Sequence, residues 1–399
     1  MARSRTPRNG PSGAGPRPGS RRRFLKGATA ATGAAAIAGL AACGRGEQGK
    51  APAAGTAPSA APQVTLRMQA STAAGDIFFV TAQDYARIVK DLTAGGVSIE
   101  VLPVGAVVKG FDMADAVHKG TLDMCYSVPA FWYSKNSALS LFGTGPALGY
   151  DANTLLSWYE HGGGKALYEE LYRDVLKLDV VPLLVGPMRT QPLGWFKKEI
   201  KAPADFQGLK FRTVGLSVDL FTAMGASVVS MPGPDVVPAL DRGVIDAAEF
   251  NNPAVDGQIG LADVSKICMV QSYHQPAECF EVLINRKLYD SLPEPYRNAL
   301  GYAGKILAAE MMWSLMDAYS KAWEDLRDNK KVSFIKTPES VLKAQLEAWD
   351  KVIQQKGAEN PFFTKVLDSQ KAYMKRVVGY QLRFEVPSQL AYEHFFGKA

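Results

Sequence analysis

Arg212 is the residue whose type and setting point most directly to chemistry. Gly208-Leu209-Lys210-Phe211-Arg212-Thr213 places it at the end of an apolar strand, just before Gly215 and a new helix. A guanidinium presents a planar fork of donors that meets a carboxylate through two parallel hydrogen bonds, which the point charge of lysine cannot do. A surface ion pair is the plainer use of such a residue, and the strand alone leaves both open. Catalytic patterns do not accompany it. The four histidines, His118, His161, His274 and His394, are scattered and form no H-E-x-x-H, and no G-x-S-x-G elbow is present. Gly162-Gly163-Gly164-Lys165 lacks the upstream Gly and the Ser/Thr of a phosphate loop, and Gly143-Thr144-Gly145 lacks the third Gly of a dinucleotide site. The pattern favours binding over catalysis.

The elements that carry this arginine follow from periodicity. Val64–Gln69 reads as a strand. Asp76 caps a helix whose apolar positions Phe79, Ala82, Ala86, Val89 and Leu92 recur at helical spacing, and Gly95-Gly96 ends it. A strand over Val97–Val104, a short helix around Met113–His118 and a strand over Leu122–Val128 follow. This βαβαβ order predicts an open, mainly parallel α/β sheet. Ala116-Val117-His118-Lys119-Gly120-Thr121-Leu122-Asp123 is then echoed by Ala239-Leu240-Asp241-Arg242-Gly243-Val244-Ile245-Asp246. Each copy ends a helix at a basic residue and Gly and starts a strand with Asp. Their spacing, about one domain, predicts two similarly built lobes. Val180–Val185 reads as a further strand. Pro293–Lys330 reads as one or two long helices whose Met, Trp and Tyr residues pack across the lobes. Residues 338–380 add two amphipathic helices suited to subunit contact.

With 399 residues, 47% hydrophobic and 21% charged, the chain has a globular composition and suits about two domains. Its net charge of +6 would fit a polyanion partner, but eight basic residues and no acidic one lie within residues 1–43. The rest carries 37 basic residues against 39 acidic ones, so the excess belongs to a leader. Ser20-Arg21-Arg22-Arg23-Phe24-Leu25-Lys26 resembles the twin-arginine export signal. The Ala/Gly-rich stretch Gly27–Ala42 is too short for a bilayer core, which needs about 20 apolar residues. Leu40-Ala41-Ala42-Cys43 resembles a lipobox, which implies cleavage before Cys43 and a lipid on its thiol; the same residues also suit an ordinary cleavage site. Residues 44–63 form a Gly-, Ala- and Pro-rich tether. In an oxidising periplasm Cys268 and Cys279 can pair, or stay buried as free thiols like Cys125.

The region Pro203–Glu249 resembles the solute-binding proteins of TRAP (tripartite ATP-independent periplasmic) transporters. The matching residues run Pro203-Ala204-Asp205-Phe206-Gln207-Gly208-Leu209-Lys210-Phe211-Arg212, then Gly225-Ala226, Met231-Pro232, Val236 through Leu240, Gly243, and Asp246 through Glu249. The resemblance extends over roughly residues 64–385, closest to the branch that binds 2-oxo acids and lactate. It implies an α/β periplasmic binding fold of two lobes, each a mainly parallel sheet flanked by helices, with a long lobe-spanning helix and extra C-terminal helices. It places the family's carboxylate-binding arginine on Arg212. A cation bridging substrate and protein would take side-chain oxygens from Gln191 and Glu249 and the backbone carbonyl of Phe250, where many relatives have Trp. Tyr273-His274-Gln275-Pro276 stands where a Trp-His-Glu-Pro type segment is expected, with Gln275 replacing a Glu beside the substrate. Amide, carboxylate and carbonyl are hard oxygen donors, suited to Na⁺ or Ca²⁺.

The internal echo extends this set. Tyr126 lies three residues past Asp123, as Glu249 does past Asp246, so Tyr126 is expected to face the cleft from the other lobe, as is Tyr133. Trp132 and Trp195 are expected to pack around the hinge. The domains read as a signal peptide over 1–43, a tether over 44–63 and the first part of lobe I over 64–189. Lobe II follows over 190–277, then the return strand of lobe I and the long helix over 278–337, and C-terminal helices with a homodimer contact over 338–399. The expected function is delivery of a small 2-oxo or 2-hydroxy acid, with its cation, from an interlobe cleft to the membrane permease. A larger sugar or aromatic acid, and a twin-arginine-exported periplasmic cofactor enzyme, are the competing readings. No catalytic cofactor and no nucleic-acid partner are expected.

Overall fold

The computed structural model describes residues 63–398. The leader, Cys43 and the tether up to residue 62 lie outside them. Among the described residues eleven strands form two sheets. The strands are β1 (Val64–Ala70), β2 (Val97–Leu102), β3 (Met124–Ser127), β4 (Val180–Met188), β5 (Gly194–Phe196), β6 (Lys210–Arg212), β7 (Ser227–Val229), β8 (Ala247–Ala248), β9 (Ile267–Val270), β10 (Glu278–Asn285) and β11 (Ser333–Lys336). The first sheet has the order β2-β1-β3-β10-β4, and the second β11-β9-β5-β8-β6-β7.

The expected two-lobed α/β architecture is present, with one refinement. Pairing is parallel within each βαβ unit, between β1 and both β2 and β3, and between β6 and both β7 and β8. The strands next to the lobe crossings run antiparallel: β10 against β3 and β4, and β5 against β8 and β9. A chain that returns from the other lobe enters from the far end of the sheet. The crossings are 189–193, between β4 and β5, and 271–277, between β9 and β10. A third is made by the helix Glu294–Asp328, which delivers the chain to β11 beside β9 in the second sheet.

Local chemistry sets the elements. Asp76 accepts from Phe78 N at 2.7 Å and starts the helix Ile77–Leu92, which buries Phe78, Phe79, Ala82, Tyr85 and Val89 while Leu92 faces out. The internal echo is structural. Gly120 and Gly243 take left-handed φ of 75° and 73°, and the N–H groups two residues on donate in the same pattern, Leu122 N to Ala116 O and Ile245 N to Ala239 O. Asp123 accepts from Arg67 N on β1 at 2.8 Å, and Asp246 from Lys210 N on β6 at 3.1 Å. Each aspartate ties its strand to the parallel neighbour.

The long helix packs on Ile77–Leu92, β4 and the helix Pro253–Gln258, so it touches both lobes. Its buried side is Tyr296, Leu300, Ala303, Leu307, Met311 and Leu315. The Met, Trp and Tyr residues expected to pack across the lobes divide: Tyr296 and Met311 are buried and Tyr319 packs against the same core, while Tyr302, Trp313 and Trp323 lie on the outer face with Ile306 and Met316. Small residues such as Ala303 and Gly304 let the helix sit close to the sheet; a Cβ on Gly304 would lie 2.7 Å from Val185 Cγ1. The helices Glu339–Glu359 and Pro361–Phe384 form a hairpin. The first packs on the helix Ser217–Ala223 of the second lobe, the second on residues 137–142 and 152–161 of the first. Cys125, Cys268 and Cys279 are buried free thiols. Cys268 sits on β9 and Cys279 on β10, in different sheets, so the two do not pair. No helix among the described residues is long and apolar enough to cross a membrane.

Candidate functional site

Two of the interlobe crossings carry a glutamine each. Gln191 lies on the crossing from β4 and Gln275 on the crossing back to β10, and Gln191 N donates to Gln275 O at 3.2 Å. The second lobe adds the ends of two strands. Arg212 closes β6, and β8 stops at Ala248, so Glu249 and Phe250 leave the sheet at its carboxyl edge. These residues line a cleft of about 810 Å³ between the lobes, apart from Glu249, which is fully buried behind it.

Arg212 is 4% exposed and its fork is largely engaged. Nη1 donates to Glu249 Oε1 and to Glu249 O, both at 3.0 Å, while Nε and Nη2 donate to Met231 O at 3.1 and 2.9 Å. These contacts leave one Nη2 hydrogen without a partner among the described residues, and the guanidinium stands 5.3 Å from the centre of the Phe250 ring. Burial pulls the Arg212 pKa below its usual value, with Glu249 and Asp256 opposing. Burial pushes Glu249 up, with Arg212 opposing. The buried pair holds because each partner answers the other's desolvation.

The Gln191 amide decides what the site can hold. One of its terminal atoms stands 2.9 Å from Glu249 Oε2 and 3.2 Å from Phe250 O, and the other 2.8 Å from Gln275 Nε2. With nitrogen toward Glu249, the amide donates to both oxygens and accepts from Gln275. With oxygen there, amide, carboxylate and carbonyl oxygens converge, an arrangement that only a cation stabilises. Among the described residues no three or more His, Cys, Asp or Glu gather as metal ligands. Amide, carboxylate and carbonyl oxygens are hard donors, a set that fits Na⁺ or Ca²⁺.

Of the residues predicted from sequence, Arg212, Gln191, Glu249, Phe250 and Gln275 come together. Tyr126 does not. It is fully buried in the first lobe, stacks on Phe280 at 4.5 Å, and hydrogen-bonds with Thr81 Oγ1 at 2.9 Å and Met311 Sδ at 3.6 Å. Its strand continues in the sheet, pairing with both β1 and β10, so the position equivalent to Glu249 faces packing instead of the cleft. Tyr133 also lies off the cleft; its hydroxyl donates to Asp219 of the second lobe, and Lys356 Nζ stands 3.0 Å from the same carboxylate. Trp132 and Trp195 are buried as expected, and each donates its indole N–H to a buried carboxylate, Glu281 and Asp256 respectively.

Two carboxylates escaped the sequence reading. Glu278 lines the cleft, accepts from Gln275 Nε2 at 3.1 Å, and is pushed up to about 8 by burial, then by Glu249 and Glu281. Its signal is an acid at the head of a mainly apolar strand. Asp256 accepts from Trp195 Nε1 at 2.8 Å and from the backbone of Asn251 and Asn252 at 3.1 and 3.2 Å, which fixes the turn that presents the Phe250 carbonyl. Its signal is an acid in the first turn of the helix behind Asn252 and Pro253.

Residues 68–360 match the family described as bacterial extracellular solute-binding protein, family 7, DctP. The chain belongs to that family. Family 7 members are transport binding proteins of the periplasm and not enzymes, and the chain is a TRAP solute-binding protein. A relative from a Nostoc species, named a monocarboxylate 2-oxoacid-binding periplasmic protein, is 28% identical over 338 residues, covering 84% of this chain and 89% of its own. A TRAP solute-binding protein from Bordetella bronchiseptica, a dimer crystallised with copurified calcium and picolinate, superposes with a TM-score of 0.78 at 27% identity, over 84% of this chain and 98% of that one. Another from Pseudoalteromonas atlantica, with bound sodium and pyruvate, gives 0.77 at 25% identity, over 84% and 99%.

Proposed function

We propose that the cleft closes on a 2-oxo or 2-hydroxy monocarboxylate together with one Na⁺ or Ca²⁺ ion, for hand-over to the TRAP membrane permease. The convergence of the Gln191 amide, the Glu249 carboxylate and the Phe250 carbonyl beside the buried Arg212 carries this reading. Arg212 holds the carboxylate once its fork lets go of Met231 O, and Gln191, Glu249 and the Phe250 carbonyl hold the cation. When bound, the cation supplies the positive charge that Glu249 and an anionic ligand would otherwise leave short. Closure is a hinge motion of 189–193 and 271–277, with residues 64–189 and 278–285 in one lobe and 190–277 in the other. The cation-bearing relatives and the 2-oxoacid-binding homologue support this assignment.

Calorimetric titration of pyruvate into wild type and Arg212→Ala, with Ca²⁺, with Na⁺ and after chelation in Na⁺-free buffer, tests it. Loss of binding in the variant and on chelation is expected. Equal affinity in the variant contradicts the carboxylate role of Arg212.

The twin-arginine leader reads as the export route and Cys43 as the lipid anchor. A homodimer through the C-terminal helices is supported by the final helix, Ser388–Phe396, which has no buried residue, and by exposed Leu382, Phe384, Leu390, Phe395 and Phe396. The exposed stripe of the long helix is a second apolar face for a second copy to cover. Light scattering of the full chain and of a chain ending at residue 385 checks this: dimer and monomer are expected, and a monomeric full chain contradicts it.

A further inference from the structure

The cleft is larger and more aromatic than a three-carbon acid requires. Its volume of about 810 Å³ lies high in the range of about 300–1,000 Å³ that encloses a drug-sized ligand. Pyruvate, the bulk of a few waters at roughly 30 Å³ each, would fill a small part of it. Phe78 and Phe280, each 2% exposed, meet at 4.8 Å and form an apolar floor on the first lobe. Phe111 and Phe131 meet edge to face at 5.0 Å on the rim, and Phe250 stands on the second lobe beneath Arg212. Phe111 is 43% exposed although it lines the cleft. Val104 and Val128 add further apolar wall.

Polar groups are few by comparison. Arg212, Gln191, Gln275 and Glu278 gather around the carboxylate and cation position, and Asp76 already accepts from Phe78 N. Exposed Lys109 is the other cation of the lining, and it has no buried partner to hold it in place. Arg212 and the cation account for the head of a 2-oxo acid, but a methyl group leaves the exposed Phe111 and the half-buried Phe131 and Phe250 facing water. Closing a lobe over unfilled aromatic surface forfeits the contacts that make closure favourable. A ligand with a flat apolar body meets ring edges and faces instead.

We propose that the ligand is a 2-oxo acid with a bulky aromatic body, of the phenylpyruvate type, and that Phe111 on the rim is the specificity-determining residue. This rests on the head-group reading above, since Arg212 and the cation orient the acid. The first-lobe rings then take the body, and Phe111 covers it as the cleft shuts.

Isothermal titration with Ca²⁺ present and after chelation in Na⁺-free buffer, using pyruvate, phenylpyruvate, 2-oxoglutarate and phenylacetate, tests the proposal on wild type and Phe111→Ala. Phenylpyruvate is expected to bind at least about tenfold tighter than pyruvate, the scale of apolar pocket discrimination. Phe111→Ala should remove most of that ratio while pyruvate stays within about twofold, because the residue is exposed and its loss spares the core. A matched thermal melt shows that the variant is folded. Pyruvate or 2-oxoglutarate binding tightest, or a ratio unmoved by Phe111→Ala, overturns the proposal and leaves the head-group reading intact. Phenylacetate matching phenylpyruvate, with no response to chelation, overturns the head-group reading and leaves the aromatic body standing.

Discussion

The ends of β3 and β8 are built from the same local pattern and do opposite work. Each follows a helix closed by a left-handed glycine, each begins beside an aspartate that accepts a backbone N–H from its parallel neighbour, and each has a polar residue three positions on. At β3 that residue is Tyr126, and the strand carries on between β1 and β10 under the helix Ile77–Leu92 and the long helix. At β8 the strand ends after two residues, so Glu249 and Phe250 turn out of the sheet beside Arg212. Local sequence sets the junction, and strand length decides whether the next polar group meets core or ligand. Function at a sheet's carboxyl edge depends on where the sheet stops.

Substitutions at the two ends should separate them. Glu249→Ala leaves Arg212 buried without its carboxylate, so it should cost about 3–5 kcal/mol in denaturant unfolding and abolish cation-dependent binding. A loss below about 1 kcal/mol would mean that the pair is open to solvent. Glu281→Gln should come next. Its carboxyl oxygens accept from Trp132, Tyr168 and Tyr172, and replacing one of them by an NH₂, which cannot accept, should cost about 1–3 kcal/mol near pH 5.

The pH dependence of the same variant has a definite sign. Burial first, against those three donors, raises Glu281 from 4.5 to about 7. Between these values the folded chain keeps a proton that the unfolded chain releases, so stability is full below about 4.5 and falls as pH rises toward 7. Glu281→Gln should flatten that fall by at most roughly 1.4 kcal/mol per pH unit. Some slope should remain, because Asp256 and Glu278 are raised as well. An unchanged melting profile across this window would remove the assignment.

Asp123→Ala and Asp246→Ala should each cost about 1 kcal/mol and add when combined, since each loses one backbone hydrogen bond in a separate lobe. Unequal costs would show that the echo is only local in sequence. The smallest effect belongs to Tyr126→Phe. It removes one hydroxyl bonded to Thr81 and should cost about 0.5–1.5 kcal/mol without changing ligand affinity. A change in affinity would return Tyr126 to the cleft.

Much of this was legible in sequence. The glycine-terminated helices, the strand carrying Arg212 and the segment ending in Glu249 are local patterns, so periodicity and motif order locate them. Tyr126 failed because facing depends on how far its strand runs, which pairing partners decide. The outward stripe of the long helix failed for a related reason: Trp and Tyr suggest core, but close approach to β4 needs small residues such as Gly304, which displaces the large ones outward. Glu278 and Asp256 carried faint signals, because a buried acid makes sense only once its donors are brought together by the fold. The cleft's size was not legible at all, since its rings come from segments far apart in the chain.

Cation dependence of ligand binding tests the central claim most directly. The measurement is the affinity of the full chain for pyruvate, by calorimetry, with Ca²⁺ and then after exhaustive chelation in Na⁺-free buffer. If Gln191, Glu249 and the Phe250 carbonyl hold the ion that bridges to the acid, affinity should fall at least about tenfold, the factor that roughly 1.4 kcal/mol brings. An affinity unchanged by removal of both ions would contradict it.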